Sequence, residues 1–254
     1  MTGRRYSLRD DQWDKIKDLL PGSHGWVGGT AKDNRTFVEA VIYRYRAGIP
    51  WRDLPERFGS WKNIHRRHQR WSESGVWARA FQTLCDDADN EYAMIDATIV
   101  RAHQHSAGAS KKRMSGAIGR SRGGLTTKIH ASCDALGNPT GLHLTPGQAH
   151  DLEGFDELSS DLKDQEFFIA DKAYDADARV RDELKAKGIT AVIPSKKNRK
   201  VEHGYDKDLY KSRHLIENFF AKLKQYRAIA TRYDKLGNVF LGAIHLAASV
   251  IWLN

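Results

Sequence analysis

Four residues near the C-terminal end of the chain combine side chains and a spacing that suit work on a phosphate backbone. They are Tyr210, Arg213, Glu217 and Lys224. At 100° per residue they fall within a stripe about 60° wide on a helix. The other side of that helix is apolar, with Leu215, Ile216, Phe219 and Leu223. The pattern predicts a helix with one buried face and, on the other, a single acid flanked by bases, which suits a metal ion beside phosphates.

Two further acids occupy unusual places. Asp96 interrupts an apolar strand at 94–99, and Asp171 follows the apolar segment 167–170. An ionised carboxylate in or beside a hydrophobic strand is costly unless a cation neutralises it. Asp171 alone could cap the next segment, and Asp96 alone could pair with an arginine. Together with Glu217, they predict a hard-cation site with oxygen ligands, suited to Mg²⁺ or Mn²⁺.

A mixed sheet must position these acids. Period-two patterns predict strands in the second part of the chain, at 92–100, 126–133, 140–144, 167–170 and 189–193. Helical patterns follow or separate them, at 151–162, 175–187, 210–224 and 239–253. The first three strands read as an antiparallel meander and the last two as parallel additions. The fold class is therefore α/β, a mixed sheet with helices on its faces.

Residues 1–90 read as all helix, so a domain boundary is predicted there, with a second domain over 91–254. A short helix near 53–58, a turn at Gly59 and a helix after Ser60 match helix-turn-helix geometry. Polar donors cover the outer face of the last helix: Lys62, Asn63, Arg66, Arg67 and Arg70. This face favours contact with DNA, and the alternative is a solvated helix packed through its tryptophans.

Composition limits the class of protein. The 254 residues are 40% hydrophobic and carry a net charge of +9, which favours a polyanionic partner. No apolar run approaches the ~20 residues of a membrane span, and the N-terminus lacks a signal-peptide pattern. Cys85 and Cys133 are the only cysteines, which is typical of a reducing compartment. A soluble, cytoplasmic protein without a membrane partner is expected.

Basic segments adjoin the predicted acids. Residues 101–124 contain no acid and read as a mobile loop, and 196–200 form a second basic run. A DNA-tracking role is favoured over a merely solvated loop. His103 is expected to contact DNA or to orient Asp96. A zinc site with His105 is the alternative, although no cysteine pair completes it.

The motifs together resemble one family. Tyr210, Arg213, Glu217 and Lys224 reproduce without a gap the Tyr-x2-Arg-x3-Glu-x6-Lys signature of bacterial insertion-sequence transposases of the DDE class. Residues 95–103 and 170–175 are similar to the first-Asp and second-Asp motifs of the insertion-sequence-five family. Residues 48–55 and 59–61 resemble its N-terminal domain. The resemblance covers nearly the whole chain and departs at no acidic position.

This resemblance implies a ribonuclease-H-like catalytic domain, with the first Asp on the first strand, the second Asp on the fourth and the Glu on a later helix. It implies that Asp96, Asp171 and Glu217 hold two divalent ions, Asp96 bridging both. Phosphodiester cleavage and strand transfer would use the same site in turn. Arg213 and Lys224 would neutralise phosphate charge, and Tyr210 would hydrogen-bond or stack beside them.

The implied partner is double-stranded DNA, both the terminal inverted repeats of the transposon and the target. A homodimer on paired ends is implied, and the place of action is the bacterial cytoplasm, at the nucleoid. Two alternatives remain open at this stage. One is a structure-specific nuclease of the same fold without transposition. The other is a DNA-binding regulator that uses only the region 50–71.

Overall fold

The computed structural model describes residues 5–22, 33–107, 117–162 and 164–254. Within them the helices, in chain order, are α1 (Asp10–Ile16), α2 (Asn34–Ala47), α3 (Trp61–Glu73), α4 (Val76–Cys85), α5 (Leu152–Leu158), α6 (Asp182–Ala186), α7 (Lys207–Tyr210), α8 (His214–Lys224), α9 (Arg227–Ala230) and α10 (Gly237–Trp252). The strands are β1 (Tyr92–Ala102), β2 (Gly119–Ser121), β3 (Gly124–Cys133), β4 (Pro139–Pro146), β5 (Phe167–Ile169), β6 (Thr190–Val192) and β7 (Thr231–Arg232). The centre of the predicted basic loop, 108–116, lies outside the described residues.

The chain forms two compact units, and neither is a single stretch of sequence. The first unit takes the described residues of Met1–Leu84, Ala102–Ser115 and Lys222–Asn254, and the second takes those of Cys85–Arg101 and Gly116–Ala221. The sequence predicted one boundary near residue 90, whereas the C-terminal segment belongs with the N-terminal helices. The reason is hydrophobic burial, because α10 is apolar around most of its circumference and packs against α3 within the first unit.

The helices of the first unit begin and end at residues that the sequence marks. Asp33 caps α2 by accepting a hydrogen bond from the backbone N–H of Thr36 at 2.8 Å. Gly48 ends α2 with a φ of 73°, a left-handed conformation that glycine adopts at little cost. Gly242 allows α10 to lie close to α3, since a Cβ there would stand 2.4 Å from the Ser72 hydroxyl oxygen. The N-terminal helices and α10 therefore share one core.

A buried chain of hydrogen bonds crosses this core. The Trp77 indole N–H donates to Nδ1 of His68 at 3.2 Å, so the neutral imidazole carries its proton on Nε2. That nitrogen lies 3.2 Å from the Tyr45 hydroxyl, which in turn donates to Asp234 at 3.0 Å. Burial lowers the pKa of His68 to about 3, which keeps the ring neutral at physiological pH.

The second unit is built on a mixed sheet. Strands β4, β3, β1, β5 and β6 are neighbours in that order, and β2 pairs with the start of β3. β3 runs antiparallel to β1 and to β4, whereas β5 is parallel to β1 and to β6. This is the predicted antiparallel meander extended by parallel strands, with helices on its faces. The ribonuclease-H-like fold class is confirmed.

Local differences from the sequence prediction concern irregular helices. The helix predicted over 210–224 is α7, a 3₁₀ turn at Lys211–Arg213, and then α8. The helix predicted over 175–187 begins as a π-helical turn at Asp177–Arg181. Part of the predicted loop over 101–124 is strand β2, because its backbone groups pair with β3, and that part of the prediction was wrong. In the described part of the chain, no helix has the length and apolar character needed to cross a membrane.

Candidate active site

Asp96 lies in the middle of β1, half-buried in the sheet. Its Oδ1 accepts a hydrogen bond from the backbone N–H of Ala97 at 2.7 Å, and its Oδ2 accepts one from Arg213 Nη1 at 2.8 Å. Burial raises the pKa of this carboxyl above its usual value, and the charge of Asp171 acts in the same direction. The alternative raised from the sequence, a pair with an arginine, is therefore present in the structure.

Asp171 is positioned by the strand next to β1. The parallel register pairs Met94 with Ile169, so Asp96 and Asp171 each follow a paired residue by two positions on adjacent chains. Asp171 also caps the 3₁₀ turn that follows it, since its Oδ1 accepts from the backbone N–H of Ala173 at 2.8 Å. The charge of Asp171 raises the pKa of Asp96, so two nearby carboxylates without a cation would be costly.

Arg213 supplies a cation beside these acids. Its guanidinium donates to Asp96 through Nη1 and to Glu217 through Nη2. Glu217 lies one helical turn further along the chain, on the first turn of α8, with its side chain 55% exposed. The opposite face of α8 anchors it, because Ile216, Phe219 and Leu223 are almost fully buried. Arg213 therefore pairs with both Asp96 on β1 and Glu217 on α8.

Tyr210 belongs to the same cluster. Burial raises the pKa of its hydroxyl, the nearby guanidinium of Arg213 lowers it, and the charge of Asp171 raises it. The phenol is therefore near enough to Arg213 and Asp171 for their charges to act on it. Lys224, the last member of the predicted stripe, is exposed at the end of α8.

The sequence predicts that Asp96, Asp171 and Glu217 converge within metal-bridging distance, or nearly do so in a metal-free structure. No three acidic, histidine or cysteine side chains of the described residues lie close enough together to hold a metal ion. The physical reason is that Asp96 and Glu217 are joined through the guanidinium of Arg213 rather than directly. The same finding gives no support to a zinc site at His103 and His105. The assignment of the three acids as metal ligands stays a prediction.

His103 contacts neighbours within the first unit. Its backbone N–H donates to the carbonyl of Arg232 at 2.9 Å, and its ring stacks on Tyr233 with centroids 4.8 Å apart. The His105 ring meets it edge-on at 4.6 Å. The Tyr233 side chain is among the exposed large side chains of the described residues. A contact of His103 with DNA stays a prediction.

The predicted basic face of α3 is present, except at one position. Lys62, Asn63, Arg66 and Arg70 are exposed. Arg67 instead lies half-buried, hydrogen-bonded to Asn34, with its guanidinium carbon 4.2 Å from the centre of the Phe37 ring and 4.5 Å from that of Trp71. These contacts occupy the side chain inside the first unit, so Arg67 is not part of the outer face to which the sequence assigned it.

The structure also brings together residues that the sequence reasoning missed. Asp175, four residues after Asp171, is buried and accepts hydrogen bonds from Arg181 and Arg199. Arg199 belongs to the basic run 196–200 that was predicted to follow DNA. The one signal in the sequence was an acid directly after an apolar segment and a turn, and such an acid is equally common on a surface. Its two arginine partners lie 6 and 24 residues further along the sequence, and only the fold brings them to the carboxylate.

Comparison with known families assigns both parts of the chain. Residues 8–81 match the family described as "Putative transposase of IS4/5 family". Residues 89–252 match the family described as "Transposase DDE domain". The second match alone covers more than half of the chain and includes Asp96, Asp171 and Glu217.

Two relatives of known sequence match about half of this chain. "Putative transposase for insertion sequence element IS6501" of Brucella ovis is 46% identical over 132 residues, which are 51% of this chain and 99% of the relative. "Uncharacterized protein y4sN" of Sinorhizobium fredii is 46% identical over 106 residues, 42% of this chain and 85% of the relative.

Similar solved structures are more distant. "Crystal structure of the Mos1 mariner paired end complex with Mn" is 14% identical, with a TM-score of 0.29, over 95% of this chain and 83% of that one. "Mos1 transposase paired-end complex with left transposon end" is 11% identical, with a TM-score of 0.28, over 79% of this chain and 82% of that one. At these TM-scores neither likeness carries an argument.

Proposed function

Because this chain belongs to the DDE transposases of the IS4/5 type, we propose that Asp96, Asp171 and Glu217 form the site that cuts DNA at insertion-sequence ends and joins those ends to target DNA. One observation supports the proposal above others. Asp96 lies on β1 two residues after Met94, Asp171 lies two residues after Ile169, the residue of β5 that pairs with Met94, and Arg213 forms ion pairs with both Asp96 and Glu217. Two of the acids thereby share one cationic partner, and the third, Asp171, is near enough to Asp96 for its charge to raise the pKa of Asp96.

The donor set fits divalent ions. Carboxylate oxygens are the ligands that Mg²⁺ and Mn²⁺ prefer, and burial together with the charge of Asp171 makes Asp96 unfavourable as an anion without a cation. Asp96, Asp171 and Glu217 would hold two such ions. When bound there, they would activate a water or a DNA 3′-hydroxyl and stabilise the leaving 3′ oxygen.

The remaining residues of the cluster would bind the DNA backbone. Arg213 presents a planar guanidinium with several donors, which suits a phosphate as well as it suits a carboxylate. Lys224 is exposed at the end of α8, the helix that follows Arg213, and would contribute a point charge. Tyr210 would hydrogen-bond to the backbone or stack beside it. These groups would position the scissile phosphate, and the exposed donors of α3 would make further contacts with DNA.

The partners follow from the reaction. Both substrates are double-stranded DNA, namely the terminal inverted repeats and the target. Joining two ends to one target needs two active sites acting together, so a homodimer on paired ends is proposed. The place of action would be the bacterial nucleoid, where both DNA substrates are found.

The proposal is tested by removing one acid at a time. Asp96→Asn, Asp171→Asn and Glu217→Gln should each abolish cleavage of transposon ends in Mg²⁺, while binding of the same ends survives. Asp208→Asn is the matched control, because this acid is 89% exposed on α7 and pairs only with Lys211 in the described contacts. Retained cleavage in any of the three variants would refute the site assignment.

Supplying ends that are already cut separates strand transfer from cleavage. Wild-type protein should join such ends to a target duplex, and the three variants should not. Cutting without joining by the wild type would favour the structure-specific nuclease. Binding that is indifferent to Mg²⁺, without cutting or joining, would favour the regulator.

A further inference from the structure

Asp175 is a buried carboxylate that two arginines and a backbone N–H hold in place. Its side chain has 0% exposure. Oδ1 accepts a hydrogen bond from Arg181 Nε at 3.0 Å and forms an ion pair with Nη2 of the same guanidinium at 2.9 Å. Oδ2 accepts from Arg199 Nε at 2.6 Å and from the backbone N–H of Lys196 at 2.8 Å. Burial by itself raises the pKa of this carboxyl, but the hydrogen bonds outweigh burial and lower the pKa to about 2.

These bonds tie three segments together at one carboxylate. Asp175 ends the turn that begins at Asp171, Arg181 belongs to the π-helical turn before α6, and Arg199 belongs to the segment after β6. Arg181 also donates to the carbonyl of Ile193 at 2.9 Å, at the end of β6. The segment 195–203 is therefore attached at its start and at its centre to the same buried acid.

The path from this acid to the candidate active site is short and hydrogen-bonded. The backbone N–H of Tyr174 donates to the carbonyl of Asp171 at 3.1 Å, and that of Asp175 donates to the carbonyl of Lys172 at 3.3 Å. The Asp171 side chain caps the same turn. Asp171 and Asp175 are thus the two ends of one hydrogen-bonded turn.

The basic run divides into inward and outward members. Arg199 points inward, and its remaining donors pair with Asp177 at 2.7 and 2.9 Å. Lys197 and Lys200 are exposed, on either side of Asn198 and Arg199. Arg199, saturated by two carboxylates, has little capacity left for a phosphate, whereas the two lysines keep theirs.

We propose that Asp175 is a positioning residue, which holds the segment 195–203 at a set place relative to Asp171 so that Lys197 and Lys200 bind DNA phosphates beside the site. The identity of the partner rests on the proposed function, whereas the anchoring itself does not. A rigid segment presents its charges without the entropic cost of ordering a loop on the DNA. Arg199, which the sequence alone would assign to DNA, serves instead as the anchor's counter-ion.

The first test measures anchoring in the full-length protein without DNA or metal. Asp175→Asn keeps the size of the side chain and removes its charge, and trypsin reports access to Lys196, Lys197 and Lys200. Loss of the charge-assisted bonds should speed cleavage there by about tenfold or more under native conditions. Asp177→Asn is the control, because it removes an exposed partner of Arg199 and leaves the buried anchor in place. Arg199→Gln should reproduce the effect of Asp175→Asn, and it carries the test if Asp175→Asn fails to fold.

The second test measures the salt dependence of binding to a random-sequence DNA duplex. Each phosphate contact contributes about 0.9 to the slope of log K against log salt, so losing both lysine contacts in Asp175→Asn or Arg199→Gln should lower the slope by about 1.8. In a Lys197→Gln/Lys200→Gln background, Asp175→Asn should lower it no further.

Two results would overturn the proposal. The first is a lower melting temperature in Asp175→Asn or Arg199→Gln with wild-type trypsin resistance and wild-type salt slope, which would leave Asp175 a purely structural residue. The second is an undiminished effect of Asp175→Asn on the slope in the double-lysine background. Neither readout depends on catalysis, so failure of the proposed active site would be seen separately, in the cleavage of transposon ends.

Discussion

Replacing Arg213 with glutamine tests how the site accommodates cations. The guanidinium donates to Asp96 at 2.8 Å, with the two side chains 20% and 21% exposed, and it also pairs with Glu217. A divalent ion that binds these acids must displace the guanidinium or tolerate it as a close like charge. Arg213→Gln removes this competitor while retaining a polar side chain of similar length. Metal affinity in the absence of DNA should therefore rise.

The size of the effect follows from the ion pair. Two unit charges about 4 Å apart interact by about 4 kcal/mol at an effective dielectric constant of about 20. Both side chains keep some solvent contact, so screening reduces this value. An opposite charge at such a distance commonly moves a carboxyl pKa by about 1–3 units, and one unit corresponds to about 1.4 kcal/mol. Even a change of one pKa unit, about 1.4 kcal/mol, predicts that Arg213→Gln binds the metal about tenfold more tightly.

Calorimetric titration of the metal-free protein with Mn²⁺ would measure this change. The titration belongs at pH 8, because removing Arg213 raises the pKa of Asp96 further and protons then compete with the metal at lower pH. Lys224→Gln is the matched control, with the same loss of charge near the other end of α8. Asp96→Asn identifies the heat that comes from the site. Unchanged or weaker Mn²⁺ binding in Arg213→Gln would refute the view that Arg213 acts as an internal counter-ion.

Two other predictions concern the cores of the two units. Burial lowers the pKa of His68 in the folded protein to about 3, whereas the pKa in the unfolded chain is about 6.5. Between these two values the imidazole is protonated in the unfolded chain but not in the folded protein. The free energy of unfolding should therefore fall by about 1.4 kcal/mol per pH unit for this group as the pH falls below about 6.5. His68→Gln should therefore show a shallower loss than wild type in urea unfolding between pH 6 and 4, and equal slopes would contradict the assignment of a neutral ring. Gly154→Ala would place a Cβ 2.1 Å from Nδ1 of His130, and should cost about 1–3 kcal/mol of unfolding free energy. Gly204→Ala, with nothing within 4 Å, is its control, and equal stabilities would show that α5 can shift.

Patterns along the chain predicted the elements of the catalytic domain because each depends on near neighbours. The apolar strand predicted around Asp96 is β1 in the structure. The predicted apolar stripe of Ile216, Phe219 and Leu223 is the buried face of α8. Arg67 was assigned wrongly to the outer face because the prediction relied on helical spacing alone. A long side chain at the edge of such a face can fold back onto rings, as Arg67 does on Phe37 and Trp71.

Pairings between distant residues were beyond local patterns. Nothing in the run 196–200 distinguishes Arg199 from its lysine neighbours until Asp175, 24 residues away, is placed against it. The same holds for the first unit, where α10 joins helices more than a hundred residues earlier. An apolar helix must be buried, but its sequence does not specify which partner buries it.

The sequence by itself determined the family, the fold class and the acids proposed for catalysis, because residue types at set spacings carry that information. Only the tertiary structure decided which charges lie next to those acids. The parallel register of β1 and β5 brings Asp96 beside Asp171, and Arg213 occupies the space between Asp96 and Glu217. Electrostatic energy depends on distance and burial, and both are properties of the folded chain.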